Sequence, residues 1–428
     1  MTRQSDFSNE RRRSVITGLG VVTPSGLEVP VFWNNVVHGI SAAGPITRFD
    51  ASKLPVRIAA EVKGFNLANF VPNVKETRMD RTIQYAVAAA AAAVKDSGLD
   101  LASLEPDRAG VVEGTTISGA ASVLKSYHSF MTDKTYQSLH PYNIVAGYCG
   151  EGSSSISLYL GVQGPVMTVC SGCASGNDAI GYGAKMVQQD ELDMVIAGGS
   201  DEIVEMLHSG FCKLRTMSER NEDPRQAMRP FDRARDGFVL GEGAAFVVIE
   251  ELSHARARGA NIYAEIMGHG RTAEAHHPIE PHPEGLGYKA AFRRAFRSAR
   301  MHPEEIDYIN AHASASRTND PIETMAIKDV FGSHARRLAV SGTKAITGHL
   351  MGASGAVEAV ITALAVKNRH IPPTINLTQP DDGCDLDYVS ESRPYPIRAA
   401  ANISAGFGGR YSCLILREYT ASSASLEW

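Results

Sequence analysis

The chain has 428 residues, of which 43% are hydrophobic and 21% charged, with a formal net charge of -5. Those values describe a globular chain with one large or two smaller cores and exclude a mainly disordered one, and without a basic excess they give no electrostatic footprint for nucleic acid. Six cysteines in so long a chain do not make a disulfide framework, which points to reduced thiols and a cytoplasmic setting.

In chain order, residues 1–12 are polar and charged with no apolar stretch that could serve as a secretory signal, and they are expected to form a disordered tail. Arg13-Ser-Val-Ile-Thr17 reads as a first strand and Gly18-Leu-Gly20 as the tight turn that ends it. A helix is expected over 82–97, stopped by Gly98. Its alanine run, Ala86 to Val94, is far shorter than the roughly 20 residues needed to span a bilayer. Strand-like runs follow at 109–115, 165–169, 194–199 and 244–250. After about residue 260 a similar order restarts, with strand 261–268, helix 287–300, strands 306–311 and 338–342, helix 353–367 and a hairpin pair at 400–404 and 412–417. The alternation is α/β. The restart predicts two comparable halves, 13–260 and 261–418, sharing one core and followed by a tail at 419–428. A faint echo supports the pairing, because Ala174-Ser-Gly176 opens one long helix and Ala353-Ser-Gly355 opens another.

The most informative stretch is Gly164-Pro-Val-Met-Thr-Val-Cys-Ser-Gly-Cys173-Ala-Ser-Gly176, where a short apolar strand turns into a small-residue helix. Cys173 is thereby placed at a helix N-terminus, where free backbone N–H groups and the helix dipole stabilise a thiolate and lower its pKa. A buried packing cysteine is the other common fate of a free thiol. The Cys170/Cys173 pair also fits a redox dithiol or half of a zinc site, although Cys149, Cys212, Cys384 and Cys413 are dispersed and form no second pair of that spacing. In the second half His312 and His349 each follow an expected strand end, the first with Asp320 and Glu323 nearby and the second with Lys344. Ligands in α/β sheets bind beyond the carboxyl ends of strands, so such residues can converge on one pocket.

Cys173, His312, Lys344 and His349, with their flanks, resemble in order and spacing the Cys-His-His set of elongating β-ketoacyl-acyl-carrier-protein synthases. Arg229-Pro-Phe-Asp-Arg-Ala-Arg-Asp-Gly-Phe-Val-Leu-Gly-Glu-Gly243, Val195-Ile-Ala-Gly-Gly199 and Gly406-Phe-Gly-Gly409 extend the likeness over roughly residues 13 to 418. Within that family the chain is most similar to synthase II and to the ketosynthase subunit of type II polyketide synthases. The resemblance implies a thiolase fold, two similar α/β halves in a layered αβαβα core, and a decarboxylative Claisen condensation. It makes Cys173 the acyl acceptor and His312 and His349 the residues that hold the malonyl thioester and promote loss of its carboxylate. Lys344 would order the histidines with Glu323 and Asp320. The backbone N–H groups of Cys173 and Phe407 would form an oxyanion hole, with the Phe407 ring as gate. Ser314 and Ser316 would contact pantetheine, and Ile117 would line the acyl tunnel.

The resemblance further implies no cofactor and no metal, with substrates arriving on the phosphopantetheine of an acyl carrier protein. It implies a dimer, either of identical chains or with a chain-length-factor-like subunit, with segment 140–169 at or near the interface. No membrane or nucleic-acid partner is expected. Lys75, Arg78, Lys213 and Arg215 are the candidates for docking the acidic carrier. Several positions depart from the family pattern: Ala313 follows His312 where glycine is usual, Ala405 replaces a common phenylalanine, Arg410-Tyr411 replaces Thr-Asn, and Glu274 stands where aspartate is usual in the loop holding His276 and His277. These changes point to a reshaped acyl mouth and to a polyketide or polyene pathway, with housekeeping fatty-acid synthesis as the alternative. A degradative thiolase would need a second cysteine as base, which Gly406-Phe-Gly-Gly409 lacks, and a non-catalytic partner subunit would lack Cys173.

Overall fold

The computed structural model describes residues 12–420 except 73, 75, 77 and 78. Of the expected tails 1–12 and 419–428, residues 1–11 and 421–428 lie outside the described residues, as do the candidate docking residues Lys75 and Arg78. The first half contributes strands β1 (Ser14–Val22), β2 (Ala109–Gly114), β3 (Val166–Val169), β4 (Met194–Asp201) and β5 (Gly243–Glu251). The second contributes β6 (Ala264–Ala273), β7 (Tyr308–Asn310), β8 (Ala339–Ser341), β9 (Ala399–Gly406) and β10 (Arg410–Arg417). They form one sheet in the order β8-β7-β9-β10-β6-β1-β5-β4-β2-β3. Counted from each half's own first strand, both halves read 3-2-4-5-1 from the outer edge inward, so one topology is used twice. The halves meet where β1 pairs antiparallel with β6 over Ser14–Ile16.

The helices of ten residues or more are α1 (Arg81–Ser97), α2 (Ala120–Asp133), α3 (Glu151–Leu160), α4 (Ser175–Gln188), α5 (Glu205–Leu214), α6 (Leu286–Ala299), α7 (Asn319–Phe331) and α8 (Ser354–Asn368). α1 covers the outer face of the first half and α6 that of the second, while α4 and α8 pack against each other between the two halves of the sheet. That central position explains the composition of α8, which is buried all round from Ser354 to Val366 and carries no polar face. α1 starts where the Asp80 carboxylate accepts the Thr82 N–H at 2.9 Å and ends at Gly98 with φ 63°, the left-handed stop expected from its sequence.

Gly18-Leu-Gly20 does not end the first strand, contrary to expectation. β1 runs through it to Val22, and the glycines are there because α1 lies directly on the strand: a Cβ on Gly18 would stand 2.2 Å from the Ala93 carbonyl oxygen and one on Gly20 1.9 Å from that of Ala89. The second half repeats the device. In β6 a Cβ on Gly268 would stand 2.5 Å from Ala299 N, and one on Gly270 2.2 Å from the Ala291 oxygen. Alanine on the helix and glycine on the strand let the two backbones approach.

Candidate active site

Cys173 lies in the turn between β3 and α4, in a parallel bridge pattern with Ser171 and after Gly172 at φ 64°. His312 lies just past β7, and His349 lies in a turn held by two backbone bonds, its N–H donating to Val239 O at 2.8 Å and its carbonyl accepting from Gly241 N–H at 2.9 Å. The three side chains line one cavity of about 570 Å³, together with Ser314, Ser316 and Phe407. The two imidazoles meet edge to face with ring centroids 5.7 Å apart. Both histidines are buried. Burial first, then the charge of Lys344, holds His312 well below its ordinary pKa and His349 at about 3, so both rings are neutral. His349 Nδ1 accepts the Met351 N–H at 3.1 Å, which puts its proton on Nε2 as a donor.

The neighbours of these rings set the backbone more than they touch the imidazoles. Lys344 Nζ donates to His312 O at 2.6 Å and pairs with Glu358, both side chains almost fully enclosed. Glu323 accepts the N–H groups of His312 and Ala313 at 2.7 and 2.8 Å. Those bonds hold Ala313 in the left-handed region at φ 43°, which explains how an alanine stands where glycine is usual. Asp320 bonds neither histidine. It accepts the Phe231 N–H at 2.8 Å and faces Arg235 at 3.9 Å. Arg235 in turn donates to Ser316 O at 2.8 Å, so the Arg229–Gly243 stretch clamps the loop that brings Ser316 to the cavity and, through Val239 and Gly241, the turn that carries His349. The sequence offered that stretch only as a family motif.

The Gly406-Phe407 backbone closes on the nucleophile turn, since a Cβ on Gly406 would stand 3.0 Å from Cys173 N. The expected lowering of the Cys173 pKa is not found. Burial pushes the thiol up to about 12, with Asp201 and Glu358 adding to it and Lys344 opposing. A backbone hydrogen bond at Cys173 acts in the expected direction, but dehydration outweighs it. Cys170 is exposed, donates weakly to Thr116 O at 3.7 Å and does not line the cavity. Ile117 does not line it either, because the 115–117 segment folds over Asp201 and the Ile117 N–H points to that carboxylate at 3.3 Å. Lys213 and Arg215 are exposed at the end of α5, and Arg215 reaches the cavity mouth. Glu274 lines the cavity and takes the His282 N–H at 3.0 Å, while Gly408 N–H donates to Pro278 O at 2.8 Å, so the 274–282 loop is tied to the glycine-rich loop.

Sequence reasoning missed Glu358, the partner of Lys344, and Asp201, whose carboxylate takes Thr115 Oγ1–H at 2.8 Å and Gly352 N–H at 2.6 Å and so ties the two halves together under the site. Glu358 follows Lys344 by 14 residues across a turn, a separation no local pattern exposes.

The family model for the N-terminal domain of beta-ketoacyl synthase matches residues 11–255, and that for the C-terminal domain matches residues 263–378. The chain is 43% identical over 409 residues to the 3-oxoacyl-[acyl-carrier-protein] synthase 2 of Coxiella burnetii, spanning 95% of this chain and 99% of that protein. Among solved structures it superposes on the ishigamide ketosynthase/chain length factor with a TM-score of 0.90 and 34% identity, over 96% of this chain and 100% of that one. A type II polyketide acyl-carrier protein in complex with its ketosynthase bound to a hexaketide gives a TM-score of 0.89 at 30% identity, over 96% and 100%.

Proposed function

Since the chain belongs to the beta-ketoacyl synthase family, whose members are acyltransferases, we propose that Cys173 is its acyl acceptor and that His312 and His349 carry the decarboxylating half-reaction. The observation that carries this reading is the convergence of one thiol and two neutral imidazoles on a single cavity. Cys173 sulfur attacks the carbonyl of an acyl thioester, the carrier C–S bond breaks, and the Cys173 proton ends on the carrier sulfur, which leaves as a thiol. A malonyl thioester then loses carbon dioxide, its enolate oxygen accepting hydrogen bonds from the imidazole N–H groups, and the enolate carbon attacks the acyl-enzyme carbonyl to release the Cys173 thiolate. Neutral rings suit this, because they donate without adding a cation beside the thiol. The backbone N–H groups of Cys173 and Phe407 serve the tetrahedral oxyanion, and Ser314 and Ser316 hold pantetheine. Lys344, Glu323 and Asp320 act one step behind, on the backbone of the histidine loops.

The substrates are carried on the phosphopantetheine of an acyl carrier protein, which docks on Lys213 and Arg215, exposed cations with no ion pair among the described residues. No helix among the described residues is long and apolar enough to cross a membrane, and the reading places the enzyme in the cytoplasm. The chain works as a dimer, identical or with a chain-length-factor-like subunit, because α2 buries none of its residues and Tyr136 and Leu158 remain 74% and 76% exposed beside the open edge of β3. An active monomer in sedimentation at micromolar concentration would refute this.

The pathway is a type II polyketide or polyene one, a reading supported by Ala405 and Tyr411 in the cavity lining and by the likeness to the ishigamide ketosynthase/chain length factor. The identity to synthase 2 of Coxiella burnetii favours fatty-acid synthesis as the second reading. Intact-mass measurement after incubation with carrier thioesters of graded length, saturated and unsaturated, decides: preferential loading of unsaturated chains supports the polyene pathway, and preference for long saturated chains supports the second. In the same assay Lys213→Glu and Arg215→Glu should slow loading from the carrier and spare loading from a small pantetheine thioester.

A further inference from the structure

Position 269 breaks the repeat between the halves. In β1 the residue between Gly18 and Gly20 is Leu19, an apolar side chain of the central core, whereas in β6 the residue between Gly268 and Gly270 is His269, also enclosed. An imidazole in such a slot costs free energy unless its polar atoms find partners. Here the main partner comes from the other half: His269 Nε2 lies 3.0 Å from Asp178 Oδ1 on α4 and 3.1 Å from Ser412 Oγ, and Gly181 leaves the room, since a Cβ there would stand 2.3 Å from the ring. The second oxygen of Asp178 accepts the Ser171 hydroxyl at 2.8 Å. Ser171 begins the turn Ser171-Gly-Cys173, and its N–H is held by Ser175 Oγ at 2.9 Å, while that hydroxyl donates to Gly172 O at 2.6 Å. Burial pushes the Asp178 carboxyl up, and the hydrogen bond and charge of His269, with bonds from Ser412 and Ser171, more than offset it, so the group stays below its ordinary value and ionised. None of Ser171, Asp178 and His269 lines the cavity, so any influence they have on the chemistry passes through the turn.

We propose that Asp178 and His269 are a positioning pair for the nucleophile: His269 anchors the Asp178 carboxylate from the second half, and that carboxylate holds Ser171 and with it the turn that presents Cys173. The inference rests on Cys173 being the acyl acceptor. It explains why a costly polar contact crosses the core at a place where the repeated frame is satisfied by leucine.

The test uses the full-length protein and two readouts, the rate of Cys173 acylation by an acyl carrier thioester and the rate of malonyl decarboxylation, which belongs to the histidines. Asp178→Asn and His269→Leu should each slow acylation about tenfold, the scale of one lost charge-assisted contact and a slightly misplaced nucleophile, while decarboxylation stays within about twofold. His269→Gln, whose amide N–H can still reach Asp178, should recover most of the acylation rate. Acylation at the parent rate in Asp178→Asn, an equal loss of both half-reactions, or a glutamine variant no better than leucine would overturn the proposal in favour of core packing alone. Alkylation of Cys173 by iodoacetamide needs no acyl substrate, so it separates the two ideas: a parent protein that takes up no acyl group refutes the acceptor role, whereas alkylation unchanged in Asp178→Asn and His269→Leu refutes the pair.

Discussion

The turn into α4 carries Cys173 immediately before Ala174-Ser-Gly176, and the matching turn into α8 carries Gly352 immediately before Ala353-Ser-Gly355. The frame around the two positions is the same. The helices cross at these ends, where a Cβ on Gly176 would stand 2.8 Å from Ala356 Cβ and one on Gly355 2.7 Å from Asn177 Cβ. The contents differ, because a side chain at 352 would stand 2.7 Å from Asp201 Oδ2 and 2.8 Å from the Thr115 carbonyl carbon. The second half therefore has no room for a side chain at its equivalent place, and what it brings to the cavity is His312 and His349, in the loops beyond β7 and β8. On the proposed roles a duplicated fold divides the work: one half offers a thiol, the other offers paired imidazoles, and the cavity lies where they meet.

If that division is right, the second half should depend on Lys344–Glu358, a charge pair enclosed on both sides, whereas the pairs described in the first half, Arg48–Glu242 and Arg258–Glu250, keep their arginines partly exposed. Lys344→Met leaves Glu358 enclosed without its cation, which costs about 3–5 kcal/mol of stability for a broken buried pair. Glu358 has its pKa pushed up to about 7 by burial against the pull of Lys344, so it can take a proton when the lysine is gone, and Lys344→Met should lose less stability at pH 5 than at pH 8. The sign follows from a folded-state pKa above the unfolded one, whose contribution is present at low pH and lost as pH rises through it. Urea denaturation at the two pH values reads this directly, and a loss under about 1 kcal/mol at both would dismiss the pair as a structural requirement.

The first half makes a smaller and different demand. With its thiol pushed up to about 12, Cys173 should be alkylated by iodoacetamide at a rate that climbs about tenfold per pH unit from 7 to 10, followed on the peptide by mass spectrometry. A plateau below pH 8 would mean that the helix dipole and Lys344 outweigh burial, and the first half would then hold a preformed thiolate.

Much of this was legible in the sequence. The order of strands and helices could be read because the apolar runs are short, the helices are capped by residues such as Asp80 and Gly98, and the order restarts after residue 260. Cys173, His312 and His349 stood out because each follows a strand end. Gly18-Leu-Gly20 was misread, since glycine marks a turn and a close helix contact equally well in one dimension. The direction of the Cys173 pKa shift was misjudged for a related reason: a helix N-terminus shows in sequence, whereas the dehydration that opposes it depends on residues from both halves. Glu358, Asp201 and His269 act through partners far along the chain, and nothing near them in sequence announces that.

The central claim is that acyl transfer and decarboxylation belong to different halves, and the most direct measurement follows both in the same preparations of Cys173→Ala and His349→Ala. Intact mass reports acyl-enzyme, and carbon dioxide release from malonyl carrier protein reports decarboxylation. Cys173→Ala should carry no acyl group and still release carbon dioxide, whereas His349→Ala should be acylated yet condense slower by about 10²–10³, the cost of one lost oxyanion donor. Acylation of Cys173→Ala at the parent rate, or full-rate condensation by His349→Ala, would contradict the division between the halves.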